Sequence, residues 1–182
     1  MKIARTSALA ALWGLAEATV FFIVPDALLT WIALRSYKRA LTACVWALGG
    51  ALLGGSTLWF IGSNDPEPAR ALFASLPGID RGMIANVTSQ VENEGLVALF
   101  IGPFIGTPYK LYAVEAGNLG IGLAAFLLVS VPARLMRFAL AALLVGAVSH
   151  VLQKRFQLSV LRGVHVVAWI AFYTWYFNAM SQ

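Results

Sequence analysis

The chain has 182 residues, 60% of them hydrophobic and 12% charged, with a net charge of +5 and a mean hydropathy of +0.78. An ordinary soluble domain is roughly 45–50% apolar and about 25% charged, so a soluble globule, a soluble catalytic domain and a disordered chain are excluded. Cys44 is the single cysteine, which excludes a disulfide scaffold and, with only His150 and His165 to help, argues against a zinc cluster.

What remains is an integral membrane protein, whose positive charge reads as topology and lipid contact. Five apolar stretches follow one another at about 7–34, 40–62, 96–118, 119–150 and 164–180. A helix needs about 20 apolar residues to cross the bilayer core. The second, fourth and fifth stretches fit a simple span.

The first stretch opens after Lys2 and Arg5, and Ala16-Glu17-Ala18 matches a secretory cleavage site. The apolar run continues past that site through Val20, Phe21, Phe22, Ile23 and Val24, so the segment is read as part of the membrane domain. It carries Glu17, Pro25 and Asp26 inside it. Broken backbone at membrane depth is tolerated where it is buried in protein or lines a wet cavity. A re-entrant hairpin is the leading reading, and a kinked span is the alternative. The basic residues Arg35, Lys38 and Arg39 come next and belong on the cytoplasmic side with Lys2 and Arg5. Both clusters share that side only if the first stretch enters and returns, or lies flat.

The second stretch is rich in glycine. Gly50 and Gly54 form a GxxxG pair, which permits close helix packing in lipid. The linker 63–95 is the most polar part of the chain and suits the outer side, with short interfacial helices expected near 69–76 and 83–91. The third stretch is broken by Gly102, Pro103, Gly106 and Pro108 and carries Lys110 and Glu115. It reads as a second hairpin, dipping in from outside. Glu115 either pairs with Lys110 or faces the interface.

The fourth stretch holds Arg134 and Arg137, three residues apart and so on one helix face, with Pro132 loosening the backbone just before them. A charge at a helix centre costs about 2.5–3.5 kcal/mol on insertion scales, so both arginines need partners. Either they only neutralise buried acids, or they form an anion site, since the guanidinium fork suits phosphate oxygens. Lys110 is a third phosphate contact. Glu17 and Asp26 are the acidic partners, either as proton carriers at membrane depth or as fixed ion pairs. Lys154, Arg155 and Arg162 then fall inside. The fifth stretch carries Trp169, Tyr173, Trp175, Tyr176 and Phe177, an interfacial belt on an anchor helix without chemistry. His150 and His165 lie at stretch ends and read as solvated.

An offset of 83 residues puts Pro25 on Pro108, Leu28 on Leu111 and Ala33 on Ala116, and carries the unit 12–62 onto 95–145. With one unit entering from each side, this is an inverted repeat whose interrupted segments point to the substrate site. The expected fold is therefore an all-α integral membrane protein, with two re-entrant hairpins in an inverted repeat plus about three transmembrane helices. The whole of 1–182 forms one membrane domain: a first repeat 7–62, a polar linker 63–95, a second repeat 96–150 and an anchor helix 164–180.

Glu17 to Asp26 (EATVFFIVPD), the glycine-rich second span, Thr107 to Lys110 (TPYK) with Ala116 and Gly117, and Arg134 with Arg137 resemble the DedA family. This family is also called the VTT or SNARE-associated family, and the short bacterial YqaA-like branch is most similar. The resemblance covers about 12–145. It implies two facing re-entrant hairpins in a multi-pass protein of the bacterial inner membrane. It also implies movement of undecaprenyl phosphate or phospholipids between leaflets, driven by the proton-motive force, with roles carried over onto Glu17, Asp26, Arg134 and Arg137. The chain departs from the family where Ile23 and Val24 replace prolines, Gly106 replaces another, and Lys110 stands where many members have arginine.

The expected function is lipid translocation without covalent chemistry, cofactor or metal. Its partners would be anionic lipid head groups, with a homo-oligomer also open and no nucleic acid. A small-solute or ion/proton antiporter and a non-transporting membrane scaffold are the alternatives.

Overall fold

The computed structural model describes the backbone of residues 2–180 and the side chains of residues 5–178; the Lys2 side chain lies outside the described residues. Every regular element among them is helical: α1 (Lys2–Thr19), α2 (Asp26–Ala33), α3 (Tyr37–Asn64), α4 (Glu67–Ala74), α5 (Arg81–Glu94), α6 (Leu96–Ile101), α7 (Tyr109–Asn118), α8 (Leu123–Leu152) and α9 (Leu158–Met180). A single 3-10 turn, Gly102–Phe104, follows α6. Three helices are long and apolar enough to cross a membrane: α3, α8 and the Leu158–Asn178 portion of α9. At 1.5 Å per residue, α3 and α8 are each longer than the roughly 30 Å hydrocarbon core.

The breaks fall where the prolines are. Pro25 and Pro108 occupy the N-cap positions of α2 and α7, and Pro103 sits in the 3-10 turn. Pro132 behaves differently, because α8 runs through it as one helix. Gly106 adopts a positive φ of 92°, a conformation only glycine reaches cheaply, and so lets the chain turn between α6 and α7.

The segment between α1 and α2 leaves backbone groups without helical partners, and side chains from elsewhere take them up. The Trp13 indole N–H donates to the Ile23 carbonyl at 2.9 Å, and Lys110 Nζ donates to the Phe21 carbonyl at 2.8 Å. The Val24 N–H donates to the Tyr173 hydroxyl at 2.8 Å. A break inside an apolar body survives because these groups are paired.

The linker forms two helices, as its polarity and apolar spacing suggest. The Asp80 side chain caps α5 by accepting from the Met83 N–H at 2.6 Å. The positive φ of 56° at Gly95 ends α5 and starts α6.

α3 is the central strut. A Cβ on Gly14 would collide with the Ala47 carbonyl, and one on Gly50 with the Ala11 carbonyl, so backbone meets backbone where α1 crosses α3. Gly54 faces Ala18 and Leu15 in the same seam. The Gly50–Gly54 pair therefore packs within the chain, on α1. At the other end of α3, Gly62 meets the Val114 carbonyl and Gly117 meets the Trp59 carbonyl, which seats α7. Every residue of α7 from Tyr109 to Gly117 is buried, Lys110 and Glu115 included. α7 lies along α3, whereas α2 lies mainly along α8.

The contacts define two ends. At one, Ser149 of α8 and its C-cap Gln153 donate to the Leu34 carbonyl at 2.8 Å each, and Arg35, Lys38, Arg39 and Arg162 surround a common cavity. At the other, the Trp59 indole donates to the Ile121 carbonyl at 2.7 Å, α5 packs on α7, and Phe73 of α4 joins Val87 and Val91 in the same core. The polar linker and the basic clusters thus occupy opposite ends.

Candidate functional site

Four of the charged residues singled out in the sequence line one cavity of about 470 Å³: Glu17, Asp26, Lys110 and Arg137. Glu17 comes from the last turn of α1 and Asp26 from the first residue of α2. Lys110 lies on the first turn of α7, and Arg137 near the middle of α8. Arg134 is not on the cavity wall. It lies behind it, with no exposed side-chain surface.

The two arginines each pair with a carboxylate but differ in burial and surroundings. Arg134 makes a two-pronged pair with Glu17: Nη1 donates to Oε1 at 3.3 Å, and Nη2 donates to Oε2. Its guanidinium is held between the Tyr109 ring at 4.6 Å and the Phe138 ring at 4.8 Å. The aromatic faces supply negative charge density where water cannot reach. Its Nε is buried without a partner. Tyr109 is positioned in turn by donating to Ser130 Oγ at 3.0 Å. Arg137 instead makes one contact, Nη2 to Asp26 Oδ2 at 3.2 Å, and a quarter of its side chain stays exposed to the cavity. An incoming anion could displace that single bond. It could not reach Arg134.

Lys110 does not pair with Glu115. Its ammonium donates to the Phe21 carbonyl and so ties α7 to the break after α1. Glu115 points the other way and takes a fork from Arg70, Nε to Oε1 at 2.8 Å and Nη2 to Oε2 at 2.6 Å. Asn118 adds a bond to Glu115 at 3.1 Å, and Arg70 also reaches Glu67 at 2.7 Å. Hydrogen bonding to Glu115 raises the Arg70 guanidinium above its ordinary value, against the opposing effect of burial. This cluster lies outside the cavity and anchors α4 to α7.

The last helix is more than an anchor. Trp169, Phe172, Tyr173 and Tyr176 form one wall of the cavity. His165 is not a solvated end residue either. It sits within α9, accepts from the Trp169 indole at 3.1 Å and lies 2.8 Å from the Thr30 hydroxyl. The indole can only donate, so Nε2 presents its lone pair and the ring proton sits on Nδ1. The signal for this wall was present as a helical stripe, His165, Trp169, Phe172 and Tyr176, spaced three to four residues apart on one face. Of the belt residues, Trp175 alone is turned strongly outward, at 66% exposure.

No group of three or more metal-ligating side chains occurs among the described residues. The arrangement sets a partly exposed guanidinium, a lysine and two carboxylates around one cavity. No protein-family model, characterised protein or solved structure matches this chain.

Proposed function

We propose that this chain is a multi-pass protein of the bacterial inner membrane, related to the DedA family, that moves an anionic lipid between leaflets. The affiliation rests on the four motifs and their order along the chain. The observation that carries the function is the one cavity in which a partly exposed arginine, a buried lysine and two carboxylates meet against an aromatic wall. Charges of both signs at the depth of apolar helices are costly and mark a pathway for an ion or a polar head group.

The inverted-repeat reading draws support from the helices. The offset of 83 residues carries α2 into α7 and most of α3 onto α8, and Pro25 onto Pro108, both N-caps. The interrupted segments are then re-entrant hairpins, and each half lends its second short helix to the long helix of the other. In this reading Arg137 binds the head-group phosphate and Lys110 lies within reach of it. Asp26 releases Arg137 on taking up a proton, so proton entry and phosphate binding are linked. Arg134 holds Glu17 and shapes the site from behind. The lipid tails remain in the bilayer.

The test is leaflet exchange in proteoliposomes carrying a fluorescent polyprenyl phosphate, read as the fraction accessible to a membrane-impermeant quencher. Wild type should exchange the label, Arg137→Ala should match protein-free vesicles, and Arg137→Lys should recover part, since lysine keeps the charge but loses the fork. Wild-type exchange no faster than protein-free vesicles sinks the proposal. Counterflow of a water-soluble phosphate ester without lipid exchange would mean an antiporter instead.

A further inference from the structure

The inner arginines are all compensated: Arg70 by Glu115, Arg134 by Glu17 and Arg137 by Asp26. A second cavity, of about 430 Å³, breaks this pattern at the basic end of the molecule. Arg35, Lys38, Arg39 and Arg162 all line it, and among the described residues none of the eight acidic side chains does. None of the four cations forms an ion pair with them either. The first three come from the turn before α3 and its first turn, the fourth from the start of α9. Arg162 lies 5.3 Å from the centroid of the Trp31 ring, and its Nε is buried without a hydrogen-bond partner. Leu9, Leu28 and Ile32 supply apolar wall.

Four like charges around one cavity repel one another unless an anion joins them. The first turn of α3 adds the positive end of a 28-residue helix. Arginine forks match phosphate oxygens, and the apolar wall suits a chain attached to that phosphate. We propose that this cavity binds the phosphate head group of an anionic phospholipid of the adjoining leaflet, at a site separate from the cavity of Arg137. The bound lipid joins α9 to α2 and α3. That matters because α9 is otherwise sparsely held, with only 6% of its most apolar window buried, and because its far half walls the first cavity.

The experiment uses the full-length protein in nanodiscs containing phosphatidylglycerol and phosphatidylcholine, released gently and weighed by native mass spectrometry. One phosphatidylglycerol should be retained in preference to phosphatidylcholine. Two double variants, Arg35→Gln with Arg162→Gln and Lys38→Gln with Arg39→Gln, should each weaken retention roughly tenfold or more, since a juxtamembrane charge contributes about fivefold. Lys38 and Arg39 are exposed, so the second pair leaves the packing intact. Lys154→Gln with Arg155→Gln removes the same charge from the same end outside the cavity and should change nothing. Millimolar inorganic phosphate should not displace the lipid. An equal loss in the control pair, equal retention of phosphatidylcholine, or displacement by inorganic phosphate would each overturn the proposal.

Discussion

Replacing Glu17 by Gln isolates what the innermost charge pair contributes. The side chain of Arg134 has 0% exposure and that of Glu17 7%, so the arginine is sealed off and the carboxylate only touches the cavity. Removing one partner of a buried pair costs about 3–5 kcal/mol, because the other charge is left uncompensated. Two features place this case at the lower end. The glutamine carbonyl still accepts one hydrogen bond, and the Tyr109 and Phe138 rings hold the cation in both proteins. A loss of about 3 kcal/mol lowers the melting temperature of a chain this size by about 6–12 °C. Asp26→Asn serves as the internal comparison. Arg137 is 24% exposed and makes one bond of 3.2 Å, so it falls back on cavity water and the loss is about 1 kcal/mol. Thermal unfolding in detergent, followed by circular dichroism, measures both. Adding Arg134→Met to Glu17→Gln should restore part of the loss, since no buried charge is then left uncompensated, although the glutamine amide loses its partner. A Glu17→Gln protein that melts no lower than Asp26→Asn would refute this reasoning, as would a double variant less stable than the single.

Asp26→Asn should keep the fold but lose transport driven by a pH gradient, while passive lipid exchange survives; unchanged gradient dependence in proteoliposomes would leave Asp26 a structural acid. Gly50→Ala should destabilise by about 1–3 kcal/mol, because its methyl meets the Ala11 carbonyl and comes within 2.9 Å of the Leu15 nitrogen. Gly49→Ala has nothing within 4 Å and should gain up to about 1 kcal/mol of helix propensity, so equal melting temperatures would discount the α1–α3 seam. Cysteines introduced at Lys38 and Lys154 should react with an impermeant thiol reagent from the cytoplasmic side, and one at Ser89 from the opposite side. The native Cys44 is buried and should stay silent. Residues 35–39 labelled from outside would rule out the first hairpin.

Much of the architecture is local in origin and therefore readable along the chain. Whether a segment spans depends on the transfer of about 20 consecutive side chains, and α3, α8 and α9 carry that property within themselves. Proline acts on its own turn, which is why Pro25, Pro103 and Pro108 mark the interruptions. Pro132 is the exception, since α8 runs on through it. The need of Arg134 and Arg137 for acidic partners followed equally from their setting in an apolar helix.

Which acid meets which arginine did not follow. Glu17 and Arg134 are 117 residues apart, and Asp26 and Arg137 are 111. A carboxylate carries no label for its partner, and both pairings satisfy the same charge rule. The crossing of α1 over α3, set by backbone contact at Gly14 and Gly50, places Glu17 against Arg134 and leaves Asp26 for Arg137. The same long-range placement turned Lys110 to the Phe21 carbonyl and Glu115 to Arg70, and brought the aromatic stripe of α9 onto the cavity. Helix formation is decided by neighbours in sequence; the partners of a buried charge are decided by where helices cross, and that is a property of the packed body alone.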